Sequence, residues 1–249
     1  MLRHSLLALL LAVTGAQAQA ALGSGDLAFT AFNADEDGWA MAALADIAPN
    51  TKVYFTDNEW QGSAFNSGES YFQWSSGNTA IAAGTVIRFS AVDTTGLKAS
   101  AGLLNRASVA GSTNYGLSQS ADTLYAYLGT AAAAPTTFLA AISTGGFSAA
   151  EGGLSNTGLS VGHGAIALRN GSDYAEYTGP RNGLASFTAY RALVADASQW
   201  TDKGDGSYAS LVPNTAPFTV SAVPEPKDYA MFLAGLCLMG GIARRRPLR

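Results

Sequence analysis

Leu27-Ala-Phe-Thr-Ala-Phe32, Trp39-Ala-Met-Ala-Ala-Leu44 and Lys52-Val-Tyr-Phe-Thr56 are three short apolar runs separated by Asn, Asp, Gly and Pro. Runs of this length, rich in aromatic and β-branched residues and bounded by turn formers, read as strands. The same texture continues at 71–74, 85–92, 123–128, 137–142, 165–169, 174–177 and 218–221. Many short strands with turn signals between them predict an all-β chain, a single antiparallel β-sandwich. Residues 40–48 have helical propensity, but Pro49 and the strand pattern after it weigh against a helix. The alanine-rich stretch 131–134 reads as a loop closed by Pro135.

Two segments echo one another. Ile47-Ala-Pro-Asn-Thr-Lys-Val-Tyr-Phe-Thr56 aligns with Ile81-Ala-Ala-Gly-Thr-Val-Ile-Arg-Phe-Ser90. Each leads through a turn pair, Pro49-Asn50 or Ala83-Gly84, whose second residue tolerates the positive φ of a type II turn. We read this as one turn-and-strand solution used twice rather than as a functional repeat.

The ends carry a different message. Arg3 and His4, an apolar run over residues 6–13, and the small-residue sites Ala16-Gln17-Ala18 and Ala18-Gln19-Ala20 form the three parts of a secretory signal peptide over residues 1–20, with a signal helix expected there. The run is too short to span a bilayer of about 30 Å. At the other end, Val223-Pro224-Glu225-Pro226 precedes an uncharged stretch at 229–243 and then Arg244, Arg245, Arg246 and Arg249. As a transmembrane helix that stretch reaches only about 22 Å, and the arginines favour the cytoplasmic side. This tail resembles the PEP-CTERM sorting signal of Gram-negative bacteria, over residues 223–249. The N-terminal signal implies signal peptidase as a processing partner, and the tail's resemblance implies an exosortase. It also implies an inner-membrane intermediate held through residues 229–243, then delivery to the cell surface or an exopolysaccharide matrix. Lys227-Asp228 departs from the small residues usual after the motif.

Between the ends, residues 21–222 form one domain of ordinary size. This body holds eight Lys and Arg against sixteen Asp and Glu, a net charge of −8. Such a surface argues against nucleic acid and against anionic lipid. Cys237 lies in the tail, so the body has neither a disulfide nor a cysteine nucleophile, and His163 is its only histidine.

Three patterns carry candidate chemistry. Asn33, Asp35 and Asp37, followed by Gly38, place oxygen side chains at alternate positions, as in the first half of a calcium loop. The EF-hand form fails at its twelfth position, Leu44, and Asp57 or Glu59 could instead complete a different calcium site. Asp202-Lys-Gly-Asp205-Gly206 is a weaker match and reads as a turn. Asp57, Glu59 and Glu69 lie near Trp60, Tyr71 and Trp74, the ingredients of a carbohydrate hydrolase with paired acids and a stacking ring. Gly158-Leu-Ser160-Val-Gly162 fits a nucleophile-elbow expression, but no helix is expected after it and the histidine lies in the wrong place. Trp39, Trp60, Trp74 and Trp200 are expected in the core. No cofactor beyond calcium is suggested.

The segment 25–57 and Asp122-Thr-Leu-Tyr-Ala-Tyr-Leu128 are similar to a module of many secreted bacterial proteins, and more loosely to lamin-tail-like or jelly-roll-like sandwiches. That resemblance implies a fold and no activity. Taken together, the sequence favours a non-enzymatic exported surface or matrix protein. A carboxylate hydrolase and a calcium-stabilised adhesion module are the alternatives.

Overall fold

The computed structural model describes residues 21–221. The expected signal helix, sorting motif, transmembrane segment and arginine cluster lie outside the described residues. Among the described residues, no helix is long and apolar enough to cross a membrane.

The chain is mostly β. In order it forms β1 (Leu27–Asn33), β2 (Gly38–Ala43), β3 (Lys52–Thr56), β4 (Tyr71–Ser75), β5 (Val86–Ser90), β6 (Lys98–Ala99) and β7 (Leu103–Arg106). There follow β8 (Thr123–Ala131), β9 (Ala134–Ser143), β10 (Ser160–Val161), β11 (Gly164–Ala167), β12 (Tyr174–Tyr177), helix α1 (Phe187–Val194) and β13 (Trp200–Gly204). One sheet has the order β13-β12-β1-β2-β5-β6 and the other β10-β11-β9-β8-β3-β4-β7. The first is antiparallel throughout. The second is mixed, because β11 runs parallel to both β9 and β10, which corrects the purely antiparallel expectation.

The two sheets share a core. Trp39 and Phe89 come from the first sheet, and Phe55, Phe72 and Trp74 from the second. The Trp39 ring lies 5.0 Å from Phe55, 5.8 Å from Phe72 and 5.0 Å from Phe89, centroid to centroid. These tilted and offset contacts are the favoured aromatic geometries. Alternation in β2 explains the placement: Trp39 and Met41 point into this core while Ala40 and Ala42 point away from it.

That small outer face lets a helix approach. Ala28, Ala31, Ala40 and Ala42 pack against Tyr190 and Val194 of α1, with Phe218 and Tyr177 beside them. Ser186 caps α1 by accepting from the Ala189 N–H. The outer face of the second sheet is covered as well, with Tyr54, Tyr71, Tyr125, Tyr127 and Phe138 packing under Trp60 and Phe65. Both sheets are therefore buried on two faces, which a simple alternation does not announce.

The echoed segments meet. Ile47 and Ile81 exchange backbone hydrogen bonds of 2.8 and 3.0 Å, joining the two copies antiparallel. Each copy makes the expected turn, with Thr51 N–H donating to Ala48 O and Thr85 N–H to Ala82 O. Asn50 has φ 59° and Gly84 φ 91°, as the second turn position demands. A Cβ at Gly84 would lie 2.2 Å from Phe218 O, so glycine is needed there for space as well. One copy then feeds β3 into the second sheet and the other feeds β5 into the first.

Three local expectations are corrected. The loop expected over residues 131–134 is confined to its two central residues. β8 and β9 run to a two-residue turn at Ala132-Ala133, and Pro135 sits in β9 opposite Gly129. Residues 218–221 make only an isolated bridge, Val220 with Leu184, because no neighbouring strand runs alongside. Asp202 lies in β13 rather than in a turn, where its carboxylate accepts from Arg169 N–H, Ser172 Oγ and Gly204 N–H.

Candidate functional site

At one end of the two sheets the strand termini frame an acidic cleft of about 540 Å3. β3 ends at Thr56 and β8, its antiparallel partner, begins at Thr123, with Thr56 opposite Tyr125. Asp57 therefore follows one strand and Asp122 precedes the other at the same end of the sheet. Glu59 and Glu69 belong to the connection from β3 to β4. Asp173 stands just before β12, and Asp35 lies in the turn between β1 and β2. All six carboxylates line the cleft, together with Asn114 and the segment 116–121.

The sequence brought Asp57, Glu59 and Glu69 forward, and the structure gathers all three in this cleft. It does not add the expected rings. Trp60 and Tyr71 pack beneath the loops over the second sheet, and Trp74 lies in the inter-sheet core. Trp39 and those two tryptophans are buried, and Trp200 is half-buried with Nε1 donating to Val194 O. Asp122 was not recognised from sequence, because only the pairing of β3 with β8 brings it to Asp57. A usable signal was its position immediately before a strand, mirroring Asp57 immediately after one.

Asp57 is held tightly. It is 3% exposed, and its Oδ1 accepts from Ser70 N–H at 2.8 Å and Ser70 Oγ at 2.6 Å. Its Oδ2 is buried with no partner, as is Oε2 of Glu59. Asn58 fixes the loop from below, donating to Thr56 Oγ1 and Ser70 O. One oxygen of Asp122 accepts from Ser118 N–H at 2.6 Å, and Glu69 accepts from Asn114 Nδ2 at 2.6 Å. A buried polar atom left unpaired costs about 1–3 kcal/mol, and more when charged.

Burial pushes the Asp57 carboxyl well above the usual carboxylate range, and the neighbouring charge of Asp122 adds to it against the opposing Ser70 bonds. Burial likewise pushes Asp122 up to about 7, with Glu69 and Glu59 adding repulsion and Ser118 N–H opposing it. Glu69 is raised by burial and by Glu59, against the Asn114 hydrogen bond. Among the described residues, no lysine, arginine or histidine lines the cleft.

The calcium-loop residues are engaged with backbone groups, two of them with Tyr208. Asn33 donates to Tyr208 O and Leu211 O, and its Oδ1 accepts from Glu36 N–H. Asp35 accepts from Tyr208 N–H, and Asp37 from Leu117 N–H at 2.6 Å. Each is hydrogen-bonded to the backbone of a neighbouring segment, so the three tie loops together. Among the described residues, no three Asp, Glu, His or Cys side chains converge to hold a bare metal ion. Ser160 sits on the two-residue β10, exposed, with its backbone paired to His163.

Comparison with known proteins gives no match to a family model, to a curated protein or to a solved structure.

Proposed function

We propose that this chain is an exported, non-enzymatic protein of the cell surface or extracellular matrix, a β-sandwich body delivered and processed through its PEP-CTERM-like tail and associated with exopolysaccharide. One observation carries the reading. The packed body is used right up to both expected cuts. Leu22 is buried in the inter-sheet core, and Ser221 N–H still donates to Leu184 O at 2.8 Å. Processing after Ala18 or Ala20, and again near Val223, leaves these contacts in place.

The test is the mass of the surface-released protein in strains with and without an exosortase. The expected mature form lacks the signal peptide up to Ala18 or Ala20, Cys237 and the terminal arginines, and the tail persists in the strain without the peptidase. A released form that keeps Cys237 in both strains would overturn the sorting route.

A carboxylate hydrolase is the second reading, favoured by the gathering of Asp57, Glu59 and Glu69 in one cleft. It predicts release of new reducing ends from a polysaccharide panel by the full chain, abolished in Asp57→Asn. Turnover that survives this substitution, or none across the panel, counts against it.

A further inference from the structure

Two Asn-Gly pairs occur in the chain, Asn170-Gly171 and Asn182-Gly183. Glycine has no side chain to keep its backbone nitrogen away from the preceding asparagine, so such a pair can close into a cyclic imide. Closure needs an accessible asparagine and a glycine N–H that is not held elsewhere. The fold treats the two pairs differently. Gly171 N–H donates to Gln119 O at 2.9 Å, and the next residue, Ser172, is buried with its Oγ donating to Asp202. Asn182 and Gly183 are both exposed, and Gly183 N–H has no hydrogen-bond partner among the described residues. Chain neighbours aside, nothing lies within 4 Å of where a Cβ would stand on either glycine, so the hydrogen bond rather than crowding separates the pairs.

The exposed pair sits where a change of backbone length has an effect. Thr219 N–H donates to Arg181 O and Ser221 N–H to Leu184 O, both at 2.8 Å. Asn182 and Gly183 are therefore the link between two clamps on the C-terminal segment. The step from 181 to 184 is already one residue longer than the step from 219 to 221 that it faces. One more backbone carbon adds about 1.5 Å to the longer side and takes a clamp out of register. Phe218, buried against Tyr177 and Tyr190, remains as the anchor.

We propose that Asn182-Gly183 is a self-modifying site, where Asn182 deamidates with water as the only co-reactant and the product loosens residues 219–221 from the body. Gly183 N attacks Asn182 Cγ. The N–Cγ bond forms, the Cγ–Nδ2 bond breaks, and ammonia leaves carrying the Gly183 proton. Water then opens the imide. Attack at Cγ gives aspartate, and attack at the α-carbonyl carbon gives isoaspartate, whose backbone runs through Cβ and Cγ and is one carbon longer. In sum an amide and a water become a carboxylic acid and ammonia, with nothing oxidised or reduced. The proposal goes beyond the sorting reading and is independent of it, because it needs only the folded body and water.

The experiment is incubation of the full-length protein at mildly alkaline pH, with its peptides followed by mass and by chromatography. The Asn182 peptide should give two acidic products of equal mass while ammonia appears in step. Its rate should change little between folded protein and denaturant. The Asn170 peptide should convert about tenfold more slowly in the folded protein than in denaturant, the factor that one backbone hydrogen bond supplies. Asn182→Gln should abolish the change at this position. Amide hydrogen exchange at Thr219 and Ser221 should rise in the isoaspartate form but not in Asn182→Asp, which carries the charge on an unaltered backbone. An Asn182 peptide that stays intact, or one protected by folding as strongly as the Asn170 peptide, would overturn the site. Unchanged exchange at 219–221 in the isoaspartate form would overturn the loosening.

Discussion

Replacing Trp39 by alanine is expected to lower stability by about 4 kcal/mol and the thermal midpoint by about 8–16 °C. Trp39 is 1% exposed and touches Phe89 on its own sheet and Phe55 and Phe72 on the facing one. Its loss empties the centre of the inter-sheet core, and the neighbours belong to paired strands that cannot all move inward. Trp39→Phe should cost much less, because Nε1 of Trp39 is buried without an acceptor and its removal offsets part of the lost volume. Trp200→Ala, at a half-buried site, serves as the control and should cost clearly less than Trp39→Ala. Denaturant melts of the three variants provide the check. A cost below about 1 kcal/mol for Trp39→Ala would mean that the sheets are not held together through this ring.

The second large effect is an inverted pH dependence. In chelator, the protein should be more stable at pH 4.5 than at pH 7.5. Asp122 is pushed up to about 7 and Asp37 to about 6, both from 3.8, chiefly by burial. Near Asp37, the Leu117 N–H opposes the shift, while the charges of Asp93 and Asp35 add to it. Between pH 3.8 and these values the folded chain keeps protons that the unfolded chain has released. Stability is thus fully present below the unfolded value and is lost as pH rises through the folded ones. Each pKa unit corresponds to about 1.4 kcal/mol. After allowance for partial solvent access, we expect a loss of about 2 kcal/mol and a midpoint lower by about 4–8 °C. Asp122→Asn should flatten the curve. A wild-type midpoint that climbs steadily from pH 4.5 to pH 7.5 would show that these carboxyls are not buried as described.

Much of the β framework was readable from local pattern. β3 and β12 coincide with their predicted ranges, and the paired turns at Asn50 and Gly84 were recognisable because only a few residue types accept positive φ. What failed to show was what depends on a second layer. α1 buries only Tyr190 and Val194, two residues one turn apart, so its apolar stripe is too thin to stand out. β13 contains Asp202, Lys203 and Gly204, and pairing with β12 overrides its turn-like composition. The candidate site divides in the same way. Asp57, Glu59 and Glu69 are close in sequence and were visible as a group, whereas Asp122 joins them only through a long-range strand pairing.

The aromatic core has a consequence for the order in which the molecule takes shape. Trp39, Phe55, Phe72, Trp74 and Phe89 all lie between residues 39 and 89, on β2, β3, β4 and β5. The Ile47–Ile81 bridge falls in the same interval. A chain emerging N-terminus first has therefore presented the central pieces of both sheets, and the clasp between them, before β8 begins. Contacts this local close at low entropic cost. The remaining strands then arrive at a surface that already has its register, with β8 adding beside β3 and β12 beside β1. Asp122, carried in by β8, reaches Asp57 only in that later phase, so the cleft is completed after the aromatic core.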